Sequence, residues 1–409
     1  MSNHFAATGR ARRAAVTIVA LGLLAAGVGA TSADASASTG RQRAEQVVSE
    51  RVRGEAAIRA LGTRLPEVAA ANGTTAEELR GRLRADDELW VDPSGLLLYI
   101  DETLGEHADH DHAEAPSGTV DPVLGSPSTA DALALHSRPG ASRVLFLDFD
   151  GHASPGSGWS GTAGTPYDTD GSPSTFSDAE RRVIIDVWRH VAEDFAPFGI
   201  DVTTQDPGID AIRRTTSTDA AYGTRVVVTP TKTDCTSCGG IAYVGTYDIH
   251  GSDSSGWYHD RYQPAWVYVA GTNAKSIAEA ASHEAGHNLG LSHDGVTGGT
   301  AYYAGHGDWA PIMGVGYYEP ITQWSKGEYS GASNTEDDLA VIAANGGTPV
   351  ADDHGATPTT ATAIAAGTVD VSGVIGTRGD QDAFTFTAGP GTLSLQVAPA
   401  TVGPDVDLS

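Results

Sequence analysis

Apolar positions along the chain change their period three times. From about residue 38 to 104, Val47, Val48, Ile58, Leu61 and Leu65 recur at helical spacing among Arg and Glu, and Thr75 with Glu78 forms a capping box ahead of Leu79 and Leu83. Residues 96–100 then read as one short strand. Between about 141 and 348, strand and helix patterns alternate. Residues 144–147, 225–228, 241–244 and 265–269 are short apolar runs, the pattern of buried strands. Ser177 and Glu180 cap a helix carrying Val183, Ile184, Ile185, Val187, Trp188 and Val191, and another helix runs from about Lys275 to Gly290, where glycine supplies a left-handed stop. Asn334 and Thr335 open a last helix with Glu336, Asp337 and Asp338 in its positive first turn, ending near Ala344 and Gly346. Beyond Asp352, alternation over 383–387 and 393–397 predicts half-buried strands. The fold class is therefore α/β or α+β with a mixed sheet, preceded by a helical segment and followed by a small β module.

The N-terminus follows a different logic. Arg10, Arg12 and Arg13 precede an apolar run over 14–30 and the small residues Ala33-Asp34-Ala35, which is the layout of a secretory signal, assigned to residues 1–37. Residues 38–140 then read as a propeptide and an acidic linker containing His107, His110 and His112, a cluster that could hold metal. Residues 141–348 form the main unit and 352–409 the β module. The 409 residues include 25 Lys plus Arg against 52 Asp plus Glu, a formal charge of −27, which excludes a phosphate-tracking surface and so nucleic acid as a partner. No later stretch is apolar and long enough to cross a bilayer, so we expect a secreted, extracellular protein with no stable membrane insertion after signal removal.

The chemistry is concentrated in Ser282-His283-Glu284-Ala285-Gly286-His287-Asn288-Leu289-Gly290-Leu291-Ser292-His293-Asp294. Helical residues four apart share a face, so His283 and His287 can meet one ion; Gly290 breaks the helix and lets the chain return with His293 as a third nitrogen. Three protein ligands leave the fourth zinc position open, as catalysis requires. Glu284, beside the first histidine, is placed to take a proton from a zinc-bound water as it attacks a carbonyl.

That segment resembles the extended signature of the metzincin zinc endopeptidases, whose zinc site stands over a methionine-containing turn. Apart from Met1 the chain has one methionine, Met313 in Ala310-Pro311-Ile312-Met313-Gly314, and it fits that turn. His293-Asp294, with the strand Gly240-Ile241-Ala242-Tyr243-Val244-Gly245 upstream, looks most like the reprolysin (adamalysin) branch. In that branch the matching strand is an edge that binds extended substrate. The resemblance implies a cleft between a sheet-bearing part and a smaller part after Gly290. Reprolysins are rich in disulfides and this chain has two cysteines, so it looks like a bacterial-type relative. Residues from Asp352-Asp353-His354-Gly355 onward resemble the bacterial pre-peptidase C-terminal domain, a β-sandwich, of which 352–409 would be a part. The expected function is a secreted zinc-dependent endopeptidase acting on polypeptides, made as a zymogen. The alternatives are a non-catalytic adhesion or binding protein on the same scaffold, and a zinc exopeptidase or amidohydrolase.

Weaker signals complete the reading. Cys235 and Cys238 are expected to pair in an oxidising compartment, against a redox pair or half a structural zinc site. Asp168, Asp170 and Gly171 match the start of a calcium loop, and Asp148 with Asp150 is a second acidic candidate for Ca2+, but the remaining ligands at EF-hand spacing are missing and a solvated turn is the favoured reading. Tyr317 and Tyr318 follow the methionine and are read as packing or a pocket wall. The propeptide has no cysteine, so a thiolate cannot hold the enzyme latent, and composition suggests no other device.

Overall fold

The computed structural model describes residues 46–102, 124, 127–153, 159, 163–232, 234–235, 237–251, 258–269, 271, 273–365, 367, 370–390, 392 and 394–406, with the backbone of Arg12–Thr17. Its centre is an eight-stranded mixed sheet in the order Val52–Arg53, Leu89–Val91, Leu97–Glu102, Cys238–Tyr243, Ala265–Tyr268, Tyr222–Thr229, Arg143–Asp148, Ile200–Thr203. The last four run parallel to one another. Parallel strands are covered on both faces, which is why every residue of Tyr222–Thr229 is buried, its three valines 226–228 and its polar residues alike.

The two long helices lie against one face. Asp178–Asp194 begins in the Ser177–Glu180 capping box and sinks Ile184, Ile185, Val187, Trp188 and Val191 into the core shared with Leu145, Leu147 and Val226. Ala274–Asn288 begins at Asn273, whose side chain accepts from the Ser276 amide at 3.1 Å. Its end is a Schellman turn: Gly290 N donates to His287 O at 2.9 Å, Leu291 N to Gly286 O at 3.0 Å, and Gly290 has φ +101. The opposite face packs Trp159, Trp266, Tyr243 and Tyr262.

The N-terminal segment differs from its sequence reading. Helices Gly54–Leu61, Leu65–Ala71 and Ala76–Ala85 form, the last from the expected capping box, and they enclose a separate core of Leu61, Leu65, Leu79, Leu83, Leu97 and Tyr99. The segment also holds three strands rather than one, and they extend the main sheet. Leu97–Glu102 runs antiparallel to Cys238–Tyr243, so the strand expected to be an open edge has neighbours on both sides. The unpaired N–H and C=O groups of such an edge accept any extended chain in register, and this one is supplied from within.

Other boundaries move for local reasons. Ala132 and Leu135, placed in the linker by sequence, are buried in the main core, and Leu135 exchanges bonds with Thr204, so the packed unit begins before residue 140. The last helix is Asp338–Ala344, not from Asn334: the Glu336 carboxylate accepts from Ser292 N at 2.7 Å and Asn334 Nδ2 at 2.8 Å, which holds these residues out of the helix. In the C-terminal module Ala383–Ala388 pairs with Thr362–Ala363 and with the backbone of Arg12–Thr17. No strand forms among the described residues of 393–397, where Leu395 and Val397 are 55% and 53% exposed, so their alternation is not used to bury one face. His107, His110 and His112 lie outside the described residues, as do the side chains of 1–37. Among the described residues no helix is long and apolar enough to cross a membrane.

One buried histidine outside the motif carries a pH consequence. His259 Nδ1 accepts from Arg214 N at 3.0 Å while Nε2 faces the Tyr247 carbonyl at 3.2 Å, so a single neutral tautomer satisfies both. Burial lowers its pKa to about 3. The unfolded chain takes up this proton near pH 6.5 and the folded one does not, so stability falls as pH drops from about 6.5 toward 3, at roughly 1 kcal/mol per pH unit. Urea unfolding between pH 7 and 4 should show a shallower acid decline in His259→Gln than in the wild type; equal slopes would reject the assignment.

Candidate metal centre

The helix Ala274–Asn288 puts His283 and His287 one turn apart, and the Schellman turn brings His293 back beside them. The three ring centroids are 4.8, 5.0 and 5.3 Å from one another. Each ring is fixed through Nδ1 by a different part of the chain: His283 to Ile312 O at 2.8 Å, His287 to Leu291 O at 2.9 Å, and His293 to the Asp86 carboxylate at 2.8 Å. Those bonds set the tautomer and leave Nε2 as the free electron pair of each ring.

All three Nε2 atoms converge on the Asp101 carboxylate. Asp101 Oδ2 is 3.3 Å from His283 and 3.5 Å from His287, and Oδ1 is 3.3 Å from His293. The three Nε2 atoms, both Asp101 oxygens and Glu284 Oε2 are buried without a hydrogen-bond partner. Orphaned buried polar atoms in such number are costly, and a cation among the three Nε2 atoms and the Asp101 carboxylate would answer those of the four residues that lie close enough to share it. Zinc bonds nitrogen and carboxylate oxygen at about 2.0–2.2 Å, which places donors of one tetrahedral site about 3.3–3.5 Å apart, so the residues present fit it. The charge balance agrees. Burial lowers the His287 pKa to about 4 in spite of Asp101, whereas at His293 the Asp86 and Asp101 carboxylates override burial and raise it well above normal. Without an ion, a proton on His293 balances those carboxylates, and a metal ion at Nε2 would take the place of that proton.

Glu284 is 2% exposed, and burial, then the neighbouring Asp101, raises its carboxyl well above the usual range. Its Oε1 occupies the volume that a side chain at Gly240 would fill. Beneath the site Met313 is fully buried; Asp294 N donates to its carbonyl at 2.8 Å, and a Cβ on Gly286 would stand 2.6 Å from its sulfur. The turn thus fills the space under the histidine helix while its Ile312 carbonyl orients His283. Asp294 accepts from Ser325 Oγ at 2.6 Å, tying the third histidine's loop to the later part of the chain. Burial, then the charges of Glu279, Glu284 and Asp101, raises the pKa of Tyr317. Tyr302, unremarked in the sequence, lies with its ring 4.4 Å from that of His293.

The remaining candidates lie elsewhere. Cys235 and Cys238 are joined as a disulfide on the approach to Cys238–Tyr243. Asp168 Oδ1 accepts from the amides of Asp170, Gly171 and Ser172, and Glu180 beside it accepts from Thr169 and caps its helix; the three carboxylates Asp168, Asp170 and Glu180 lie near one another, and the bonds they make are those of a turn. Asp148 is fully buried and paired with Arg225, while Asp150 is exposed, so the two do not form a cation site.

Residues 202–294 match the profile of metallo-peptidase family M12B, reprolysin-like. The matched stretch holds the central strands, the long helix and all three histidines, and with the mixed sheet it supports a reprolysin-like metalloprotease domain. Peptidases of this family use zinc and act on polypeptides. The match stops short of Met313 and covers neither the N-terminal segment nor the C-terminal module. No curated protein matches the chain.

Sequence reasoning overlooked Asp86, Asp101 and Gly240. For Asp101 a signal existed: Leu97, Tyr99 and Asp101 share one strand face by alternation, and an acid on an otherwise apolar face needs a partner.

The packing under the helix is testable. Alanine at 286 would gain roughly 1 kcal/mol of helix propensity, but the added methyl meets Met313 with Leu291 and Trp324 each 3.2 Å away, an overpacking that costs about 1–3 kcal/mol. Gly286→Ala should lower the thermal midpoint and weaken metal binding together; a raised midpoint would refute the close packing.

Proposed function

We propose that the protein is a secreted zinc-dependent endopeptidase that uses His283, His287 and His293 as ligands and Glu284 as general base. The observation that carries the reading is the convergence of three buried, partnerless Nε2 atoms beside a buried carboxylate with a free oxygen. Zinc bound there supplies Lewis acidity, lowering the pKa of water and drawing charge from a carbonyl oxygen. Glu284 Oε2 accepts a proton from the attacking water and passes it to the departing amine nitrogen. Gly240 leaves room for that carboxylate between helix and strand, and the strand Cys238–Tyr243 offers main-chain donors and acceptors to an extended polypeptide on the side where Leu97–Glu102 lies. Tyr317 and Tyr302 exclude water from one flank. Secretion from the signal at 1–37 and a propeptide origin for 38–140 belong to the same reading, as do a bacterial-type lineage and a pre-peptidase C-terminal-like module from Asp352.

Hydrolysis of unfolded casein by the processed protein should disappear with a zinc chelator. Glu284→Ala should retain zinc yet lose on the order of 10²–10⁴ in rate; undiminished activity would overturn the mechanism. Gly240→Ala, which adds no charge and removes no ligand, should resemble Glu284→Ala, because its methyl displaces the Glu284 carboxylate. Normal rates in Gly240→Ala would show that the carboxylate position is not critical.

A further inference from the structure

We propose that Asp101 is a fourth metal ligand and that its strand, Leu97–Glu102, lies in the polypeptide-binding groove as a built-in inhibitory segment. The inference rests on the metalloprotease reading above and assigns that site its regulation.

Both Asp101 oxygens are buried, neither has a hydrogen-bond donor, and both are about 3.3–3.5 Å from histidine nitrogens that are equally without partners. A buried carboxylate without a donor is costly, and a cation shared with the three nitrogens would offset that cost. Position follows from the strand register. Asp101 stands opposite Gly240, Ile100 opposite Ile241, Tyr99 opposite Ala242 and Leu98 opposite Tyr243, with the shift in register falling between Cys238 and Gly240. An irregularity of this kind re-aims a side chain, and here it coincides with the one strand residue whose missing side chain admits Glu284. Asp101 is thereby laid across both the three imidazoles and the proposed base.

The rest of the segment reinforces the placement. Tyr99 stacks on His287 at 4.2 Å and 20°, and its ring lies tilted at 41° against that of His293 at 4.1 Å. The Asp86 carboxylate faces His293 Nδ1 at 2.8 Å, and Tyr243 Oη donates to Asp92 at 3.2 Å. Val244 N donates to Leu97 O at 2.9 Å, so the pairing continues past the strand's end. Groups from one segment thus fill the metal's open position, orient its third ligand and occupy the backbone groups a substrate would need. The first cysteine is Cys235, so no thiolate is available for this task.

The test uses the full chain with cobalt(II) replacing zinc, and acetohydroxamate as a small ligand that competes for the open position. Wild-type protein should bind one cobalt ion and show a visible spectrum insensitive to millimolar hydroxamate. In Asp101→Ala the spectrum should change and hydroxamate should bind at least about tenfold more tightly, because a ligand held at high effective concentration has been removed. Asp101→Asn, which keeps the side-chain shape, serves if the alanine variant fails to fold and should shift in the same direction. Cobalt bound in every protein with one spectrum and one hydroxamate affinity would overturn the proposal and leave the metal centre standing. A wild-type spectrum that responds to hydroxamate like an open site would overturn it as well. Cobalt that fails to bind, or binds undiminished to His287→Ala, would instead remove the metal centre on which the proposal rests.

Discussion

The helix Ala274–Asn288 and the strand Cys238–Tyr243 approach so closely that the Glu284 carboxylate occupies side-chain space belonging to position 240. Most of the site follows from that approach. It is held by a buried polar clasp: Asn288 Nδ2 donates to Tyr243 O at 3.0 Å, Gly245 N to His287 O and Tyr247 N to Asn288 O, each at 2.9 Å. Because these bonds join the C-terminal end of the helix to the chain leaving the strand, the helix cannot rotate without breaking backbone bonds inside the core. His283, Glu284 and His287 are therefore aimed by the scaffold, and their rotamers need only local support.

That local support comes from three separated stretches. Ile312 orients His283 from the methionine turn, Leu291 orients His287 from the helix's own exit, and Asp86 orients His293 from the N-terminal segment. Dispersed second partners make a ligand set rigid, since no single loop movement releases all three rings. They also make the set divisible: of the three, only the His293 partner lies outside the main unit. The third ring is thus the one whose environment changes most when the N-terminal segment moves.

Much of this could be read from the chain. The histidine spacing, the helix stop at Gly290, both capping boxes and the apolar strand runs are local signals, and the structure has them within a few residues. What could not be read was tertiary. The pairing of Leu97–Glu102 with Cys238–Tyr243 joins residues more than a hundred positions apart, and a strand's own pattern does not name its neighbour. Gly240 looked like ordinary strand glycine because the atom that forbids a side chain there belongs to another element. Ala132 and Leu135 lay in a low-complexity stretch whose composition masked two core positions. Asp168 and Asp170 were ambiguous for a local reason, since an acidic turn that caps itself has the same spelling as the start of a calcium loop.

Electrostatics constrains how the N-terminal segment and the metal relate. The segment carries Asp86, Glu88 and Asp101, all buried, to within reach of His293, and Asp101 and Glu88 also raise the pKa of Glu284, in a chain whose formal charge is already −27. Bringing more acids to a buried acid is opposed by desolvation and by repulsion, and the apolar contacts of Tyr99 and the strand pairing must overcome both. A divalent cation at the three histidines reverses the sign of that interaction. Whatever binds the docked state more tightly than the undocked state stabilises docking by the same free energy. On the proposed ligation, metal and segment each strengthen the other's hold, so a zinc-loaded chain would be the more tightly closed one, and release of the segment would have to come from cutting the chain rather than from a passing fluctuation.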